Sequence, residues 1–158
     1  MLASDMQANF QFCGSRVLSF SLNNEFVTLS EALLPRDVDV SCDIYSVDRQ
    51  DEFVAVVVRL KVAAHCRGEA AEDGHQIDLD AKLLIEGCFA APGNMGDEEL
   101  AKYAIINGGA VLYSMARSFI STTTSLSTTS GKLTLPMVST FALYREYQEK
   151  QASKQKRN

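Results

Sequence analysis

Over residues 37–44 the chain alternates without a fault: Val38, Val40, Cys42 and Ile44 are interleaved with Asp37, Asp39, Ser41 and Asp43. A period of two is what a strand with one buried and one wet face requires, because successive side chains point to opposite sides of a sheet. The same period returns twice. Over residues 52–66, Val54, Val56, Val58, Leu60 and Val62 mark one face, while Val57, Arg59 and Lys61 leave the other only partly wet. Further on, Ile77, Leu79, Ala81, Leu83, Ile85 and Phe89 oppose Asp78, Asp80, Lys82 and Glu86. Asp48-Arg49-Gln50-Asp51 supplies a turn between the first two of these strands, and a charged loop, 67–74, separates the second and third.

An earlier strand spans about residues 10–22. Phe10, Phe12, Leu18, Phe20 and Leu22 hold the even positions, with Gly14-Ser15 interrupting as a bulge would. Residues 23–36 contain Asn23-Asn24, Pro35 and a short apolar run, Ala32-Leu33-Leu34. They read as a loop crossing over to the next strand, with room for a helical turn at 29–33. The expectation is a four-stranded antiparallel sheet, a meander with a crossover loop, wet on one face. Asp37, Asp39, Asp43, Asp78, Asp80 and Glu86, relieved by Arg59, Lys61 and Lys82, then form a solvated sheet face. A docking surface for a basic partner is the alternative.

After Phe89 the period changes. Ala-Pro-Gly-Asn-Met-Gly, 91–96, breaks the strand pattern, and Asp97-Glu98-Glu99 opens a short helix with acids where the helix dipole favours them. Asn107-Gly108-Gly109 reads as a bend into a long helix over about 108–122. There Val111, Leu112, Met115, Ala116, Phe119 and Ile120 cover roughly half the circumference at about 100° per residue, leaving Ser114, Arg117, Ser118 and Ser121 on the rest. An arc so much wider than an ordinary amphipathic stripe needs two partners. One is a sheet of its own chain; the other is a second helix or another subunit. Residues 121–130 read STTTSLSTTS, nine Ser or Thr in ten, so the helix is expected to fray or end there; phosphorylation is a rival reading of the run. A last helix follows Pro136 with Leu143, Tyr144 and Tyr147 on one face and Val138 and Phe141 elsewhere. Residues 148–158 turn basic and are expected to be a disordered tail. Strands first and helices after, two or three of them, make the fold class α+β, in a single domain over 1–158.

Composition narrows the function more than it names it. A net charge of −5 over 158 residues argues against a nucleic-acid partner. No apolar run approaches the ~20 residues a membrane span needs, and MLASDMQANF lacks the basic start and apolar stretch of a signal peptide. Cys13, Cys42, Cys66 and Cys88 form no CxxC pair and fit a reduced, cytoplasmic setting. His65, Cys66 and His75 are the one group that could hold a metal or form a Cys–His nucleophile. Adjacent strand residues point to opposite faces, however, and no fourth ligand or orienting group accompanies them. The paired carboxylates alternate with core positions, and no phosphate loop or hydrolase motif is present. Nothing here reads as an enzyme.

The helical half also carries a resemblance. The run Leu112-Tyr113-Ser114-Met115-Ala116-Arg117, a break near Gly131, then Leu133-Thr134-Leu135-Pro136 and Phe141-Ala142-Leu143-Tyr144 together resemble the SecB family of protein-export chaperones. Those proteins carry an L-F-P-Y-A-R-like run on the long helix and an L-x-L-x-P-V-N-F-x-x-L-F-like run into the last. Leu112, Ala116, Arg117, Leu133, Leu135, Val138, Leu143 and Tyr144 fall on that pattern. Ser114 replaces the first proline, Pro136 is displaced by one residue, and Ser139-Thr140 stands for the Asn-Phe pair, with Phe141 one step later. The similarity extends over about residues 10–147.

The resemblance implies a SecB-like sheet-then-helix fold and a homotetramer, a dimer of dimers, with no enzymatic activity and no cofactor. It implies an ATP-independent holdase that keeps non-native polypeptides soluble in apolar grooves, for export or for a dedicated client such as an antitoxin. The family's V-x-L-x-L-like strand run matches Val38-Asp39-Val40-Ser41-Cys42. The implied client-binding residues are therefore Val38, Val40, Cys42, Leu143, Tyr144 and Tyr147, with Leu112, Met115 and Phe119 at the oligomer interface; plain core packing is the alternative for all of them. Family members dock on the ATPase SecA through acids on the sheet. Overlay puts Lys82, Val17 and Ser21 at those positions, so weak or absent SecA binding is expected. An oligomeric scaffold that reuses the fold without chaperone activity is the rival function.

Overall fold

A computed structural model of the chain describes residues 9–29, 35, 37–70, 74 and 76–155. Strands β1 (Gln11–Asn24), β2 (Asp37–Arg49), β3 (Phe53–Ala70) and β4 (Gln76–Pro92) form one antiparallel sheet in the order β1-β4-β3-β2. The last three are the expected meander. β1 and β2 are the two edges of the sheet, so the chain crosses over between them; of the helical turn expected at 29–33, residues 30–33 lie outside the described residues. The bulge expected at Gly14-Ser15 lies one residue earlier, where the register slips between Phe12 and Gly14, and a second slip follows between Val17 and Ser19.

Alternation decides which face is buried. Val54, Val56, Val58, Leu60, Val62, Ala64 and Cys66 of β3 and Leu79, Ala81, Leu83 and Ile85 of β4 point to one side and are sealed there by the helices. In β2 the register slips between Ile44 and Ser46. Val47 pairs with the buried Val56, so the phase flips and Val47, rather than an even-numbered residue, continues the helix-side row. Directly opposed strand residues share a face.

The helices follow as α1 (Asp97–Tyr103), a π-helical turn (Ala104–Gly108), α2 (Gly109–Leu126) and α3 (Thr140–Gln155). Arg49 ties the first of these to the sheet, its guanidinium pairing with Asp97 and donating to the Met95 carbonyl at 3.0 Å. The bend read at Asn107-Gly108-Gly109 is not there: Gly108 (φ −62°, ψ −44°) and Gly109 (φ −59°, ψ −41°) are helical, and the chain passes from α1 to α2 without a break. The glycines serve close packing instead. A β-carbon on Gly108 would stand 3.2 Å from the Phe89 ring, and one on Gly109 3.4 Å from the Cys42 sulfur. The extra backbone residue of the π turn lets both lie against the sheet.

The wide apolar arc of α2 is only partly covered within its own chain: Leu112, Ala116 and Ile120 are buried, whereas Val111 and Met115 are each 36% exposed. The extended segment 131–139 runs back along the helix beside Tyr113 and Arg117, burying Leu133 and Leu135. The Tyr113 hydroxyl donates to the Pro136 carbonyl at 2.7 Å, and Arg117 donates to the Leu135 carbonyl at 3.0 Å. At the far end the buried Thr124 hydroxyl sits 2.8 Å from the Ile120 carbonyl and accepts from the Leu133 amide at 2.9 Å. Helix α2 ends at Leu126, inside the Ser/Thr run. There Thr123, Thr124, Ser125, Ser127 and Thr128 donate back to carbonyls three or four residues earlier. Ser127 and Thr128 thereby reach the Thr124 carbonyl, one of those a helix end leaves without an intrahelical partner, while the others bond back to carbonyls inside the helix. Helix α3 continues to Gln155, so residues 148–155 are helical and not the disordered tail the polar composition suggested. Glu146 and Lys150, one turn apart and 2.7 Å between charges, support that extension.

Candidate functional site: the surface shared by β2 and α3

Helix α3 packs on edge strand β2 and on the π-helical turn. This brings Val38, Val40 and Cys42 together with Leu143, Tyr144 and Tyr147, all six joined to one apolar cluster. They are not equally available. Cys42 is 3% exposed and Leu143 6%, so these two are core residues and not walls of an open groove. Val38, Val40, Tyr144 and Tyr147 remain half-buried. Burial and the nearby Asp43 carboxylate raise the Tyr147 hydroxyl above the ordinary tyrosine range. The Lys150 ammonium is raised first by its hydrogen bond to Glu146 and then, against the cost of burial, by Asp43 and Asp39. The row is therefore apolar along its length with a charged rim at one end.

Two further apolar side chains stand open where the chain enters α3. Met137 and Phe141 are 80% and 65% exposed. Phe141 also lines a cavity of about 320 Å³ with Glu99, Lys102, Tyr103, Ile106 and Asn107. Phe141 stood apart from the Leu143–Tyr144–Tyr147 face in the sequence, where its exposure could not be read.

The residues expected at an oligomer interface separate as well. Leu112 is fully buried against its own sheet, so close to Gly87 that a β-carbon there would stand 2.7 Å from its methyl; it belongs to the core. Phe119 packs edge-on against Phe20, with centroids 5.0 Å apart. Met115 is 36% exposed beside Val111, and the Ser15 hydroxyl donates to its sulfur at 3.5 Å.

On the open face of the sheet, Glu86 is 8% exposed and holds two arginines. Arg59 donates to it at 2.8 Å and Arg16 at 3.0 Å, and the Arg59 guanidinium lies 3.2 Å over the Tyr45 ring. Hydrogen bonding from Arg59, with Arg16 adding to it, holds the carboxyl below the usual range. Ser21 lies opposite Lys82 on this face, whereas Val17 lies opposite Ile85, a core residue of the helix side. The three positions overlaid on the SecA-docking acids therefore do not form one surface.

The His65–Cys66–His75 group does not assemble. Nδ1 of His65 lies 2.9 Å from Asp80 on the open face. Cys66 is buried on the other, its thiol pushed up to about 11 by burial and then by Asp80, the wrong direction for a nucleophile. His75 lies outside the described residues. Among the described residues no group of three His, Cys, Asp or Glu side chains is placed to hold a metal ion, and no helix is long and apolar enough to cross a membrane.

No family model matches the chain, but comparison with known proteins finds likenesses in sequence and in fold. The protein-export protein SecB of Neorickettsia sennetsu is 29% identical over 93 residues, 58% of this chain and 56% of that one. The chain therefore matches little more than half the length of that relative. Among solved structures, the Mycobacterium tuberculosis Rv1957 SecB-like chaperone, in complex with a ChAD peptide from the Rv1956 HigA1 antitoxin, superposes with a TM-score of 0.51. That match covers 82% of this chain and 91% of Rv1957 at 17% identity. At that identity the likeness is one of fold.

Proposed function

The chain is SecB-like in sequence and in fold, and from that premise we propose that it is an ATP-independent holdase for non-native polypeptides. The observation that carries the proposal is the row Val38, Val40, Tyr144 and Tyr147, half-buried on β2 and α3, with Met137 and Phe141 exposed where the chain enters α3. An extended segment laid on it would bury apolar surface worth about 25 cal/mol per Å². Tyrosines suit an unselective surface, since each offers a large apolar body and a polar tip with few rotatable bonds to fix. Many weak apolar contacts hold a client without choosing its sequence.

Whether the client is an exported chain or a dedicated one is set by partners rather than by this surface. The Rv1957 complex with an antitoxin peptide makes an aggregation-prone antitoxin the first dedicated client to try. Docking on SecA is left out of the proposal: Lys82 and Ser21 stand side by side where acids would be needed, so the face lacks complementarity to a basic partner there.

The site is tested by paired charge substitutions, read as binding of a labelled, permanently unfolded protein. Met137→Asp with Phe141→Asp falls on exposed side chains and should lower affinity about tenfold while leaving the circular dichroism spectrum unchanged. Val40→Asp with Tyr144→Asp should abolish binding. Retained affinity in both folded double variants would remove the surface from the account and favour a scaffold without chaperone activity.

A further inference from the structure

The slip in β1 has a chemical consequence at its extra residue. Phe12 lies opposite Phe89 and Gly14 opposite Cys88, so Cys13 is the residue with no partner of its own. The Phe12 ring lies 5.5 Å from that of Phe89 on the helix side. Cys13, next along the strand, turns to the open face, where Cys88 also points. The Cys13 thiol, which donates to the Gln11 carbonyl at 3.7 Å, is near enough to Cys88 to add to burial, the larger cause, in raising the Cys88 thiol above its ordinary range. Cys13 is exposed and Cys88 half-buried, whereas Cys42 and Cys66 are buried on the helix side.

Side chains paired across antiparallel strands hold their β-carbons about 4.5–5.5 Å apart, and a disulfide needs about 3.5–4.5 Å. A bulge is where the strand can give that difference, since its ladder is already interrupted.

We propose that Cys13 and Cys88 form a reversible thiol–disulfide site, modified by small disulfides of the oxidised-glutathione class. The Cys13 thiolate attacks one sulfur of the glutathione disulfide; that S–S bond breaks, a mixed disulfide forms on Cys13, and one glutathione thiolate leaves and is protonated. The Cys88 thiolate then attacks the Cys13 sulfur, forming the Cys13–Cys88 bond and expelling the second glutathione as its thiol. Two protein thiols are oxidised, one glutathione disulfide is reduced, and the two thiol protons end on glutathione. Exposure makes Cys13 the first to react, and proximity makes Cys88 the resolving thiol. The bond clamps the edge strand to its neighbour at the bulge.

The full-length chain is incubated with oxidised glutathione at mildly alkaline pH and followed by intact mass and non-reducing peptide mapping. The expected product is a single chain lighter by two hydrogen atoms, with a 13–88 cross-link, free Cys42 and Cys66, and a higher urea midpoint that dithiothreitol returns to its starting value. Cys88→Ser should instead stop at one glutathione on Cys13. A stable glutathione adduct on the wild-type chain, a disulfide joining two chains through Cys13, or no reaction at either thiol would each overturn the proposal.

Discussion

Glu86 shows how a single residue can join three strands. From β4 it receives Arg16 of β1 and Arg59 of β3, and Arg59 lies over Tyr45 of β2. Because the arginines, Arg59 foremost, hold its folded pKa below the ordinary value, its contribution is present above the unfolded-state pKa of about 4.3 and is lost as pH falls through the folded one. Glu86→Gln should therefore lower the urea midpoint clearly at neutral pH, and the gap from wild type should close as pH is taken below about 4.3. A gap of the same size at both ends of the titration would show that the ion pairs contribute nothing. The alternation in β4 placed Glu86 on the polar face, yet it carried no sign that the residue is enclosed, because period reports direction and not depth. The same limit explains Cys42 and Leu143. Both lie on the predicted faces, and both are buried where the helices dock on β2, a docking that has no signature in either segment alone.

Among the elements, the crossover and the end of α2 hold one another. The Leu29 amide donates to the Ser130 carbonyl at 2.9 Å and Thr129 to the Val27 carbonyl at 2.8 Å, while the Asn24 side chain donates to Ser127. Gly131 closes this junction at φ +83°, where a β-carbon would stand 1.7 Å from the Leu29 carbonyl oxygen. Gly131→Ala meets both an unfavourable left-handed backbone and a collision with main chain. It should cost about 2–4 kcal/mol, measured by urea unfolding; a loss within about 0.5 kcal/mol would mean the junction carries little. The three alternating strands were legible because their period is unbroken over many residues. The packing of 131–139 along α2 was not: the segment has no helical period, and its two buried leucines, Leu133 and Leu135, gain meaning only beside the helix. Asn107-Gly108-Gly109 misled for a related reason, since a glycine needed for close approach to Phe89 and a glycine that ends a helix look the same in sequence.

At the scale of the whole molecule, β1 and β2 are the two edges of the sheet, and α2 keeps Val111 and Met115 on its uncovered flank. We propose that this flank contributes to a homotetramer. Met115→Asp, on a side chain that the isolated fold leaves 36% exposed, should reduce the assembly in light scattering while the spectrum of the folded chain is kept. A wild-type chain that is monomeric at micromolar concentration contradicts the assembly without touching the fold. The central claim is the holdase activity, and it is tested most directly by the turbidity of an unrelated protein diluted from denaturant, with and without an equimolar amount of the wild-type chain and with no nucleotide present. The account predicts that turbidity is suppressed and that the unfolded protein is recovered in a soluble complex; undiminished aggregation at a several-fold excess of the folded chain would contradict it.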